Sequence, residues 1–233
     1  MSINKRITLL IGNMGSGKSE IGFNYALKYR SQFNRPVKLM DMDIIKPYIR
    51  LRDISDKAQA MDIDLLLPET RMLKADMPIV PSKMVAYLQD DSFDLIMDVG
   101  GEDRGSITIA QFQDFFQQTD LSVWLVVNPY RPFADSPEKI LEIISTLQIS
   151  TKLLITGLVA NPHLRFDTTL ENVKKGITIV QEASALSKIP IVFIGIWHKL
   201  YSEAFEREYA PIPILPIKLF LTFPWEAGKL TGI

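Results

Sequence analysis

The stretch Ile7-Thr8-Leu9-Leu10-Ile11-Gly12-Asn13-Met14-Gly15-Ser16-Gly17-Lys18-Ser19 decides how this chain is read. A short apolar run enters a segment of the form G-x-x-x-x-G-K-S, and a helix-length segment follows. Glycines let the main chain curl so that successive amides surround a phosphate. The helix after the loop turns the positive end of its dipole toward the anion. In that arrangement Lys18 reaches the β- and γ-phosphates of a nucleotide, and the Ser19 hydroxyl ligates Mg²⁺. Gly12, Asn13, Met14, Gly15, Ser16, Gly17, Lys18 and Ser19 are therefore the candidate nucleotide-binding residues. A glycine-rich turn beside a surface lysine would carry the same letters; the strand before it and the helix after it favour a phosphate loop.

Working outward, further apolar runs recur at Val37–Met40, Leu95–Val99, Val123–Val127, Leu153–Val159 and Ile191–Ile196. They are apolar nearly throughout rather than alternating, as suits strands covered on both faces of a parallel sheet. Helical segments fit around 18–32, 105–118, 136–149, 168–188 and 199–209. In the fourth, Val173, Ile177 and Val180 form an i, i+4, i+7 stripe. The third opens with Asp135-Ser136-Pro137-Glu138, in which either Asp135 caps with Glu138 at the third position, or Ser136 caps with Pro137 at the first. Residues 44–92 are less regular, with a short strand expected at Ile63–Leu67 and a short helix at Ser82–Gln89. The alternation predicts an α/β doubly wound, mostly parallel sheet in a three-layer α/β/α domain of the P-loop NTPase kind, spanning 1–233. The tail, 210–233, is apolar and proline-rich. Its prolines forbid a central strand, so it is expected to run extended over the core; docking to a partner is the other reading.

Two strands end in acids. Val37-Lys38-Leu39-Met40 runs into Asp41-Met42-Asp43, and Asp94-Leu95-Ile96-Met97 into Asp98-Val99-Gly100-Gly101. Ligands of open α/β sheets bind beyond the carboxyl ends of the strands. A carboxylate there can hold a Mg²⁺-bound water, the role assigned to Asp98. Asp43 is placed to orient or deprotonate an attacking water and joins Ser19 and Asp98 as a candidate for the metal shell; Asp41 is expected to be structural. Gly101 can offer an unobstructed amide to a γ-phosphate. Lys18, Asp43 and Asp98 are thus the candidate catalytic residues.

Composition closes off other classes. The chain has 233 residues, 26 Lys plus Arg against 27 Asp plus Glu, and a formal net charge of −1, so the basic excess of a dedicated nucleic-acid binder is missing. No cysteine means no disulfide, no Cys-ligated zinc or iron–sulfur cluster and no thiol nucleophile. The two histidines, His163 and His198, leave little for a His-built metal site; His163 is read as a turn or surface residue, and His198 as lying at a strand-to-helix junction. No apolar run approaches the ~18 residues that span a bilayer. The opening residues are too short in apolar stretch for a signal peptide. A soluble, cytoplasmic protein is expected.

The phosphate loop, the D-x-D after the second strand and the D-x-G-G strand end together resemble the MinD/ParA/CobQ group of P-loop ATPases, a SIMIBI-type class, over roughly residues 5–200. The resemblance implies adjacent strands bearing Gly12 and Asp98, binding of ATP and Mg²⁺, slow hydrolysis and a protein partner or nucleotide-dependent homodimer. It implies that Asp43 lies in a first switch, within a γ-phosphate-sensing loop at 41–48, and that Asp98 to Gly101 form a second. Many members carry a lysine directly after the first glycine, crossing to the partner's nucleotide; here that position is Asn13, and Arg50, Arg52 or Arg104 would have to supply such a charge. The Gly15-Ser16-Gly17-Lys18 core is also similar to metallochaperone GTPases of the HypB/UreG type, whose Cys/His ligands have no counterpart in this cysteine-free chain.

For the base, the N-K-x-D tetrapeptide of many GTPases does not occur. An Asn amide both donates and accepts, matching an adenine edge. Asn161, in Ala160-Asn161-Pro162-His163, is the choice that the resemblance supports, ahead of Asn128 in Val127-Asn128-Pro129; either could equally start a turn. The leading expectation is an ATP–Mg²⁺ switch with slow ATPase activity. The rivals are an ATP-dependent transferase or ligase similar to CobB and dethiobiotin synthetase, a binding module with little hydrolysis, and a GTPase.

Overall fold

A computed structural model describes residues 5–33, 35–42, 51–67, 82–100, 109–110, 112–117, 119 and 121–221. Eight strands form one sheet: β1 (Ile7–Ile11), β2 (Val37–Asp41), β3 (Asp64–Leu66), β4 (Asp94–Asp98), β5 (Leu121–Val127), β6 (Gly157–Ala160), β7 (Ile191–Trp197) and β8 (Ile214–Ile217). Their order is β3-β2-β4-β1-β5-β6-β7-β8, and every pairing is parallel. β1 lies in the middle with β4 on one side and β5 on the other. Leu10 pairs with Asp98, so the strands carrying the phosphate loop and the second acidic end are neighbours. The chain reverses direction across the sheet around β1, and such a reversal opens a crevice at the carboxyl ends of the strands.

The helices are α1 (Lys18–Gln32), α2 (Ser55–Ala60), α3 (Ser82–Gln89), α4 (Gln113–Gln117), α5 (Pro137–Thr151), α6 (Leu170–Ser187) and α7 (Glu203–Glu208). Two apolar clusters cover the two faces of the sheet. On one, Ile7, Leu9 and Ile11 pack with Ile140, Ile144, Val173, Ile177 and Val180 of α5 and α6. On the other, Leu10, Leu39 and Ile96 pack beneath Ile21, Phe23 and Tyr25 of α1. All five residues of β1 and all seven of β5 are buried, which is why these strands read as unbroken apolar runs. Tyr25, Trp124 and Phe193 meet at centroid distances of 5.1–5.8 Å, tying α1 to β5 and β7.

The cap of α5 is Ser136, whose hydroxyl accepts the Lys139 amide, with Pro137 in the first turn; Asp135 instead pairs with Lys139 across one turn. The sequence offered both caps, and the proline's fixed φ selects Ser136. Two expected boundaries move. The strand expected over Leu153–Val159 is paired only from Gly157, with Leu153 and Ile155 packed into the core from the connection that precedes it. The helix expected over 199–209 begins as a 3-10 turn at His198–Leu200 and becomes α-helical at Glu203, where Ser202 caps it. The tail contributes β8 at the edge of the described sheet, where Pro216 is tolerated because no strand among the described residues lies beyond it to need its missing N–H.

Candidate functional site

The loop between β1 and α1 is built by three glycines with positive φ, Gly12 (146°), Gly15 (78°) and Gly17 (92°). Two of them also have no room for a side chain. A Cβ on Gly12 would stand 2.6 Å from the Val126 carbonyl oxygen, and one on Gly17 would stand 2.4 Å from Asn161 Nδ2 and 3.1 Å from His163 Nε2. The loop is thus wedged between the ends of β5 and β6. Gly17 begins α1 with no side-chain cap, leaving first-turn amides of the helix to an anion.

Lys18 is buried and curls back over the loop, its Nζ donating to Gly12 O at 2.8 Å and to Asn13 O at 3.1 Å. The ammonium is held over the concavity that a phosphate would fill. Ser19 Oγ donates to Asp98 Oδ2, joining the first turn of α1 to the end of β4. Asp98 is fully buried, and Asp41 pairs with it in register across β2 and β4. A hydroxyl and a carboxylate side by side are hard oxygen ligands of the kind Mg²⁺ takes. Ser16 Oγ, buried in the loop, has no hydrogen-bond partner among the described residues. A cradle that any Cβ would obstruct, an ammonium leaning into it, an unanswered hydroxyl and an oxygen pair at its edge fit a magnesium-bound nucleotide phosphate. Asp43 and Gly101 lie outside the described residues, as do Arg50, Arg104 and the side chain of Arg52.

Asn161 stands at the end of β6, and its Nδ2 donates to Ser16 O at 2.7 Å. The amide braces the phosphate loop. Asn128, at the end of β5, spans two loops: its Nδ2 donates to His163 O at 3.0 Å, and its Oδ1 accepts the amides of Tyr130 (3.1 Å) and His163 (3.3 Å). Those bonds occupy both ends of the Asn128 amide in holding the turn that sequence reading allowed for it. His163 lies in the irregular connection after β6, half-buried, with its ring edge against Gly17. Burial, with the Arg131 and Arg165 guanidiniums nearby, holds its pKa down to about 4. The neutral ring accepts the Arg165 amide at Nδ1, 3.3 Å away, which places its hydrogen on Nε2. His198 opens the turn directly after β7, as expected.

Two features of the site escaped the sequence. Arg131, four residues beyond β5, donates from Nε to Gly15 O at 3.0 Å and lies across the face of that glycine. Its only sequence signal is position, since β5 neighbours β1 and loops at the carboxyl ends of adjacent strands meet. The second is Glu20, immediately after Ser19. Its carboxylate is buried and accepts the amides of Phe220 at 2.7 Å and Leu221 at 3.3 Å. Burial pushes its pKa up to about 7, against the pull of those two amides and of the Arg165 and Lys57 charges.

No family model and no curated protein matches this sequence. Solved structures do match in fold. FlhF complexed with GTP/Mg(2+) superposes with a TM-score of 0.54 at 12% identity, over 82% of this chain and 66% of that one. FtsY from Mycoplasma mycoides gives 0.56 at 15% identity, over 84% and 61%. The signal recognition particle 54 kDa protein from Aeropyrum pernix K1, in complex with GDP, gives 0.54 at 17%, over 83% and 42%. This chain spans at most about two thirds of the length of these proteins. Among the described residues no helix is long and apolar enough to cross a membrane. The eight-stranded parallel sheet, with its phosphate loop after the central strand, is a P-loop NTPase α/β fold of the architecture shared by FlhF and FtsY.

Proposed function

We propose that this protein is a magnesium-dependent nucleoside triphosphate switch with slow hydrolysis, acting on a protein partner or on a second copy of itself. The observation that carries this reading is the join of Ser19, at the start of α1, to Asp98 at the end of β4, next to Lys18, whose ammonium is drawn back onto the Gly12 carbonyl of the loop. One element would hold the phosphates, the adjacent one the metal shell. Lys18 and first-turn amides bind the β- and γ-phosphates, and Ser19 with Asp98 orders the magnesium and its waters. Magnesium, when bound, neutralises charge building on the phosphate oxygens. Asp43 is proposed to position the attacking water, and Gly101 to report the γ-phosphate from the loop after β4. Loss of that phosphate would release both loops, the usual output of such a switch.

GTP is the favoured nucleotide, because FlhF with the same fold was solved with GTP/Mg(2+) and with GMPPNP/Mg(2+). ATP is the second reading. The segment Asn161-Pro162-His163-Leu164 supplies no carboxylate where N-K-x-D would place one, and this favours the ATP-binding relationship to MinD and ParA proteins. Calorimetric titration of the whole chain with GTP and ATP, each with magnesium, decides between them: GTP binding at least tenfold tighter supports the first reading, the reverse order the second. If neither nucleotide gives heat or displaces a fluorescent analogue, the switch itself is refuted.

A further inference from the structure

Glu20, Asn24 and Lys28 stand at i, i+4 and i+8, on one face of α1. All three grip the main chain of a segment near the far end of the sequence. Glu20 accepts the amides of Phe220 and Leu221. Asn24 makes a two-way pairing with Lys218, Nδ2 donating to its carbonyl and Oδ1 accepting its amide, both at 2.9 Å. Lys28 Nζ donates to Ile214 O at 2.9 Å. A face of a helix that packs into a core is ordinarily apolar, so a polar stripe there has one occupant in view, the backbone from 214 to 221. Leu219, Phe220 and Leu221 fill the space beside it, and Phe220 meets Phe23 edge-on at a centroid distance of 4.8 Å.

The other side of the same segment is held from the nucleotide side. Arg165, with φ 56° in the loop after β6, donates to Leu221 O at 2.8 Å. That loop also contains Asn161, which braces Ser16 O, and His163, which abuts Gly17. The contacts close a circuit: from the phosphate loop through α1 and Glu20 to the segment, then through Arg165 and Asn161 back to Ser16. A change in the loop's seating is shared by every member of a circuit this short.

We infer that residues 218–221 form a strap fastened to the phosphate-binding helix, whose seating is linked to occupancy of the phosphate loop. The inference rests on the nucleotide reading above. Linkage is reciprocal: bound nucleotide holds the strap down, and loosening the strap weakens nucleotide binding by the same factor. The tail thereby becomes the part of the fold that carries the state of the site from the central strand to the β8 edge of the sheet.

Hydrogen exchange at the amides of Phe220 and Leu221 tests this on the full chain, with and without saturating GMPPNP and magnesium, binding being verified by calorimetry on the same sample. The expected result is exchange at least tenfold slower in the loaded protein. Asn24→Ala is expected to speed exchange at 218–221 in the empty protein and to weaken GMPPNP binding at least threefold. Should that variant fail to fold, Lys28→Ala, which removes only the half-buried contact to the Ile214 carbonyl, is expected to shift both readouts in the same directions. Exchange within twofold in protein shown to be loaded overturns the strap alone, as does a folded variant that frees the strap while its affinity stays within twofold. Absence of binding by GMPPNP and by AMPPNP alike overturns the nucleotide reading and this linkage with it.

Discussion

At the scale of single residues, the site rests on few charges. Lys18 is buried with its ammonium on two loop carbonyls. A hydrogen bond to a charged group is worth about 1.5–3 kcal/mol, so Lys18→Ala is expected to lower nucleotide affinity by roughly ten- to a hundredfold while the fold survives, as circular dichroism would show. Arg131 lies against Gly15 with its guanidinium partly open to solvent. As a second positive charge beside the phosphates it should contribute a smaller, salt-sensitive share. Arg131→Ala is expected to weaken nucleotide binding about fivefold at low ionic strength and less at high salt, with Arg131→Lys intermediate; an unchanged affinity at low salt makes the arginine a prop for the loop only. Lys18 was legible because its motif is local. Arg131 was not, because its partner Gly15 is 116 residues away and an isolated arginine after a proline-containing turn carries no spacing signal.

At the scale of elements, the phosphate loop is fixed by what touches it from β5 and β6. Gly17 has φ 92° and a neighbour 2.4 Å from where a Cβ would be, so Gly17→Ala is expected both to abolish nucleotide binding and to lower stability. Backbone strain of this kind costs about 1–3 kcal/mol before the clash with Asn161 is added; denaturant unfolding measures it. The loop after β6 brings a pH dependence. His163 titrates at about 4 in the fold against 6.5 ordinarily. Between those values the unfolded chain binds the proton and the folded chain does not, so stability rises with pH across that window and is lost as pH falls through it. The difference in unfolding free energy between the wild type and His163→Gln, in the absence of nucleotide, is expected to grow by up to about 1.4 kcal/mol per pH unit from pH 4 to 6.5 and to level off above. The strands around this site were readable because burial on both faces leaves an unbroken apolar signature. β6 was overextended in that reading since Leu153 and Ile155 are apolar for a different reason: they plug the core from an unpaired connection. β8 was hidden because proline argues against strands everywhere except at an edge, and edge position is a property of the assembled sheet.

At the scale of the whole molecule, the two apolar layers are joined through β5, whose residues alternate between them, Val123 and Leu125 facing one and Trp124 and Val126 the other. Trp124 is 2% exposed and meets both Tyr25 and Phe193. Trp124→Ala is expected to cost about 3–5 kcal/mol, and for a domain of this size each kcal/mol moves Tm by about 2–4 °C, a fall that calorimetry would resolve. Fold class followed from the alternation of apolar runs and helical segments, and the adjacency of the strands bearing Gly12 and Asp98 from the family resemblance. The grip of α1 on the tail did not, because Glu20 and Phe220 are 200 residues apart and each alone reads as an ordinary surface glutamate and an ordinary apolar tail.

That separation has a consequence for biosynthesis. α1 leaves the ribosome well before 214–221, Glu20 preceding Phe220 by 200 residues, and until those residues emerge its stripe of Glu20, Asn24 and Lys28 lacks the backbone it grips, as Phe23 lacks its edge-on partner Phe220. α1 is thus locked only once 214–221 have been made, and a nascent chain halted short of 214 presents a raw flank to chaperones that the folded structure conceals.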